Sequence, residues 1–183
     1  MLTKTQTVGQ YSLEGVNQRM NAAMRACVSW AAIEEHDKIL DMACGDGQLL
    51  AHLNDQLKLT LCGMCRRADQ ARAISEMLGE ADVIPARMDD IPWRDSTFDV
   101  VLLSTHMKGE PKRILDEVIR VLRPGGQFVM ASRVLAFRGE GEYNRREIMR
   151  LMQEAGFEEV SFRTAGLAGV IIGWKQGEGK MGQ

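Results

Sequence analysis

Cysteine is scarce in this chain of 183 residues: there are four, Cys27, Cys44, Cys62 and Cys65. That is few for such a length and argues against a disulfide-framed scaffold, so the expectation is reduced thiols acting as small apolar packing residues. Long apolar runs are missing as well. None approaches the ~20 residues that a membrane span needs, and the opening residues 1–7 lack the apolar core of a signal peptide. A cytoplasmic protein without a membrane segment is expected. Neither sign of charge dominates, with 23 Lys and Arg against 25 Asp and Glu, a net charge of -2 and a pI near 6.0. No global field draws the chain to phosphate backbones or anionic lipid, and no nucleic-acid partner is indicated.

What is present is apolar residue in quantity, 45% of the chain, enough to bury one continuous core. Val16, Met20, Met24, Cys27, Val28 and Ala31 recur three and four apart and predict a leading helix over residues 13–33. Residues 38–43 read as a strand entering a glycine turn, after which Leu49, Leu50, Leu53 and Leu57 repeat at helical spacing. The pattern recurs as a strand at 59–64, a helix at 68–78 and a strand at 82–85. Residues 98–104 form an apolar strand of the kind covered on both faces. A helix over 110–122 follows, with Pro111 in its first turn and Pro124-Gly125-Gly126 as its stop. Then come a strand at 127–132, a helix at 145–155 and strands at 159–164 and 167–174 joined by Ala165-Gly166 as a hairpin. Such alternation predicts an α/β fold: a seven-stranded, mostly parallel Rossmann-like sheet with helices on both faces and a C-terminal antiparallel hairpin. One domain over 1–175 is expected, with 176–183 as a flexible tail rich in glycine and charge.

Between the first strand and its helix lies Asp41-Met42-Ala43-Cys44-Gly45-Asp46-Gly47. Glycines here let a backbone approach a ligand closely and aim helix amides at it. A dinucleotide-binding loop would place a third small residue where Leu50 stands. The shorter form, an acidic residue, small residues and then Gly45-Asp46-Gly47, resembles the first motif of the class I S-adenosylmethionine-dependent methyltransferases. The resemblance continues in order through Asp89-Asp90-Ile91-Pro92-Trp93 and Phe98-Asp99-Val100-Val101. It runs on through Arg120-Val121-Leu122-Arg123-Pro124-Gly125-Gly126 and Glu154-Ala155-Gly156-Phe157, which is similar to the small-molecule, ubiquinone-biosynthesis type. It implies the class I fold, S-adenosylmethionine as cofactor and methyl transfer to a small-molecule acceptor. The positions it places around the cofactor are Asp41, Met42, Ala43, Cys44, Gly45, Gly47, Met64, Cys65, Arg66, Met88, Asp89 and Ser104.

The chain departs from that family at two places. The acidic residue that would accept from both ribose hydroxyls is replaced by Cys65, followed by the cations Arg66 and Arg67, and the position that would recognise the adenine amino group falls on Arg87, with Asp89 or Asp90 available through a register shift. An active enzyme with compensating contacts and a degenerate, non-catalytic binding or regulatory domain both remain open. A phosphate grip by Arg66 and Arg67 for a phosphorylated nicotinamide cofactor is opposed by Leu50 and by the terminal hairpin.

Cys62 and Cys65 have metal-pair spacing, but three positions along a strand face opposite ways, and no second ligand pair is visible, so no metal is expected. His106, after the fourth strand, is the candidate catalytic base, whereas His36 and His52 read as surface residues. Tyr11, Met107, Arg133, Phe137 and Tyr143 are candidates for the acceptor pocket. The methionines at helical spacing read as core filling. The compact size, without a large inserted lid, leaves room for a protein partner or a homodimer, and the sequence does not choose between them.

Overall fold

The computed structural model describes residues 20–54, 58–79, 81–133 and 144–177. Seven strands form one sheet in the order β3-β2-β1-β4-β5-β7-β6. The strands are β1 (Lys38–Asp41), β2 (Thr60–Cys65), β3 (Asp82–Pro85), β4 (Phe98–Leu103), β5 (Leu122–Arg133), β6 (Phe157–Ala165) and β7 (Ala168–Lys175). The first five run parallel, and β7 runs antiparallel between β5 and β6. The helices are α1 (Ala22–Trp30), α2 (Gln48–Asn54), α3 (Ala68–Leu78), α4 (Pro111–Val121) and α5 (Arg145–Glu154). The chain therefore has the mostly parallel α/β sheet with a C-terminal antiparallel hairpin expected from its alternation.

Strand periodicity divides the core in two. Ile39, Leu61, Val100, Leu102 and Val129 face α1, α2 and α3, while Leu40, Cys62, Val101, Leu103 and Phe128 face α4 and α5. Each face is apolar because each is covered by helices, and the central strands accordingly read as unbroken apolar runs. On α4, Ile114, Leu115, Val118 and Val121 are fully buried, each worth roughly 1.5–3 kcal/mol relative to exposure.

Several boundaries differ from the sequence reading. The leading helix begins at Ala22, because the Asn21 side chain accepts from Ala23 N at 2.9 Å and Met24 N at 3.0 Å and caps it there. The helix ends at Trp30, and residues 13–19 lie outside the described residues. Pro124-Gly125-Gly126 does not stop α4, which has already ended where Leu122 turns extended. Those residues instead form an irregularity inside β5, where pairing jumps from Phe98↔Leu122 to Val100↔Gln127. Gly126 is required there: a Cβ would lie 2.9 Å from Arg123 O and 3.0 Å from Asp99 O. The hairpin pairs Ala165 with Ala168, so its turn is Gly166-Leu167, one residue later than read from the sequence.

Strand order reverses at β1, whose chain continues into β2 on one side while β4 lies on the other. At such a switch point the crossovers diverge and a crevice opens beyond the carboxyl ends of the strands.

Candidate functional site

Asp41 ends β1 and is fully buried. Its Oδ1 accepts from Ala43 N at 3.1 Å, while Oδ2 has no partner among the described residues. Burial raises its pKa to about 7 against the opposing pull of the Ala43 bond. The thiols of Cys27 and Cys44 lie in its field, and burial, with Asp41 adding to it, pushes both well above the usual range. They are protonated at neutral pH and are not nucleophiles.

Past Asp41 the backbone is pinned to both neighbouring strands. Met42 N donates to Leu102 O at 2.9 Å and Cys44 N to Met64 O at 3.0 Å, and Gly47 N closes the turn on Cys44 O at 2.7 Å. Gly45 has a φ of 56°, and a Cβ on it would meet nothing nearer than Ala43 O at 3.9 Å, so this glycine fronts open space. Gly47 does something else: its φ is 82°, and a Cβ would come 2.9 Å from Ile74 Cγ2 on α3. A side chain at this position would collide with α3, so Gly47 also serves packing. The bulk of Leu50 is accommodated from the strand side, since a Cβ on Gly63 of β2 would lie 2.7 Å from Leu50 Cδ1 and 3.2 Å from Cys44 Sγ.

Cys65, at the end of β2, is buried and turns its thiol to Arg67 O at 3.2 Å. It meets Cys44 on one face, whereas Cys62 faces the other core, so the two members of the C-x-x-C spacing do diverge. Arg66 is exposed, and Arg67 is held by both oxygens of Asp69. Arg87 pairs in the same forked way with Asp89, at 2.9 and 2.8 Å. Met42, Cys44 and Met64 are buried in the two cores and Met88 is half-buried. Ser104 is buried just past β4, and His106 is exposed, with Nδ1 3.4 Å from Thr105 Oγ1. His52, read from the sequence as a surface residue, is fully buried on α2. Among the described residues no three His, Cys, Asp or Glu side chains converge as a metal site requires, and no helix is long and apolar enough to cross a membrane. Tyr11, Phe137 and Tyr143 lie outside the described residues.

Two of the resembling segments are joined by Arg120, which opens one of them, and by Glu117. Arg120 of α4 donates to Ile91 O and Trp93 O at 2.8 and 2.9 Å and to Asp95 at 2.8 Å, and both oxygens of Glu117 accept from it. Glu117 also accepts from Ile91 N at 2.8 Å, and Arg120 keeps its carboxyl below the usual range. The segment entering β4 is thereby fastened to the opposite face of the sheet from α3. Gly63 has a sequence signal, a glycine inside an apolar strand, and Arg120 has its place in a resembling segment; Glu117 has none beyond its place in α4.

Residues 40–130 match a protein family described as a methyltransferase domain. The chain is also 24% identical over 197 residues to the ubiquinone/menaquinone biosynthesis C-methyltransferase of Roseobacter denitrificans, an alignment covering 82% of this chain and 78% of that one. The chain belongs to the class I S-adenosylmethionine-dependent methyltransferases. Two solved structures agree with this methyltransferase in fold. A SAM-dependent methyltransferase from Aquifex aeolicus gives a TM-score of 0.65 at 20% identity, covering 77% of this chain and 83% of that one. The [4+2]-cyclase SpnF gives 0.72 at 14% identity, covering 84% and 80%. A cyclase on the same scaffold means that fold alone does not choose the reaction, and the methyltransferase assignment rests on the family match and the curated relative.

Proposed function

We propose that the chain transfers a methyl group from S-adenosylmethionine to a small-molecule acceptor, with the donor held at the crevice beyond β1 and β4. The observation that carries this reading is the pairing of a buried Asp41, whose Oδ2 has no partner among the described residues, with Gly45, whose missing side chain fronts open space. A buried carboxylate short of one partner suits a cationic ligand, since the approach of positive charge restores the ionised form that burial disfavours. The donor supplies an activated methyl on a sulfonium when bound. The chain's part is to bind, orient and shield.

On this reading Asp41, Ala43 and Gly45 meet the donor directly. Met42, Cys44 and Met64, buried as they are, contribute through backbone, and Asp89, presented by Arg87, and Ser104 border the site. His106, exposed after β4, stands where a base would take a proton from the acceptor. The curated relatives are methyltransferases, and no observation favours a non-catalytic domain.

The test is a chase of label from the methyl of S-adenosylmethionine into a panel of small hydroxy, amino and quinone-type acceptors. Label in a small molecule, with S-adenosylhomocysteine released in equal amount, supports the reading. Transfer to added protein or RNA but to no small molecule contradicts it.

A further inference from the structure

A nucleoside bound across a doubly wound sheet presents vicinal ribose hydroxyls, and the usual acceptor is a carboxylate that follows the second strand. The side chains that leave β2 here do not offer one. The Cys65 thiol is turned to Arg67 O. Arg66 and Arg67 have donors only, and Arg67 takes both carboxylate oxygens of Asp69. Gln70, in the first turn of α3, is different: it reaches back to the glycine loop and donates from Nε2 to Gly45 O at 2.5 Å. That bond fixes the amide beside the one glycine of the loop that fronts open space, and the other end of the amide, Oε1, is an acceptor.

We infer that Gln70 recognises the ribose of the methyl donor, its Oε1 accepting a hydroxyl in place of the carboxylate absent at Cys65. The inference rests on the donor reading above and assigns it a recognition residue that the resemblance did not supply. Nε2 clamps the loop while Oε1 reads the sugar, so one side chain couples loop position to ligand identity.

Titration calorimetry with S-adenosylhomocysteine and its 2′,3′-dideoxy analogue tests this, on the unaltered chain and on Gln70→Met, which keeps side-chain length and removes both polar atoms. The unaltered chain is expected to prefer the complete ribose by about tenfold, the value of one hydrogen bond, and Gln70→Met to bind both ligands alike. A tenfold preference that survives in Gln70→Met, including the case where both ligands weaken equally, overturns the inference and leaves Gln70 as a loop clamp. So does an unaltered chain that binds both ligands with one affinity. An unaltered chain that binds neither overturns the donor reading and this inference together.

Discussion

Asp41 sits at the end of the central strand, with one carboxylate oxygen on Ala43 N and the other unpartnered among the described residues. Its folded pKa of about 7 lies above the ordinary value of 3.8, so the folded chain retains a proton that the unfolded chain has released. The sign follows: stability is lost as pH rises from the ordinary value through the folded one, and the full penalty is present above it. Asp41→Asn, which cannot ionise, should therefore gain on the unaltered chain by about 2 kcal/mol more at pH 8 than at pH 5, read by urea unfolding. An identical difference at the two pH values would show that Asp41 is solvated. The sequence revealed Asp41 as an acidic residue before a glycine loop, but not its isolation, which comes from α1 and the neighbouring strands closing over it. From spacing alone Gly47 reads as a ligand-approach glycine. Ile74, 27 positions further on, gives it a packing role as well, and no local pattern announces such a contact.

Elements were legible where the chain's own chemistry ends them. The limits of α3 and β3 were read correctly because charge and glycine follow their apolar periods. The start of α1 was missed because Asn21 interrupts a continuing apolar spacing, and β5 was entered too late because Pro124 and two glycines look like a terminus unless the partner strand is known. Packing between elements was largely invisible, and two substitutions probe it. Gly63→Ala should cost about 1–3 kcal/mol, since the new methyl would overlap Leu50, and the cost should shrink in a Leu50→Ala background. Equal cost in both backgrounds would rule out that contact as the cause. Arg120→Met removes the fastening of residues 91–95 and leaves Glu117 bound to Ile91 N alone. A loss on the order of 3 kcal/mol is expected, together with faster amide exchange at Ile91 than at β1. Unchanged exchange at Ile91 would show the segment to be held by Trp93 packing edge-on against Phe98, 5.5 Å between ring centres.

At the scale of the whole molecule, the order of the signatures along the chain is enough to give the mostly parallel sheet and its terminal hairpin, because each signature marks a strand end or crossover, while the reversal of strand order at β1 comes from the structure. What that order did not give is how the ribose is met once Cys65 replaces the expected carboxylate. The fold supplies an answer only by bringing α3 against the glycine loop. The central claim is that the crevice at Gly45 binds S-adenosylmethionine, and calorimetry of the unaltered chain with that ligand and with S-adenosylhomocysteine tests it, with Gly45→Arg as the blocked partner. Open space at Gly45 means the arginine variant should fold with a melting temperature lowered by a few degrees for its left-handed backbone, yet fill the crevice. Micromolar binding by the unaltered chain, abolished in folded Gly45→Arg, is the predicted result; no binding by a well-folded unaltered chain at millimolar ligand, or equal binding by both, would contradict it.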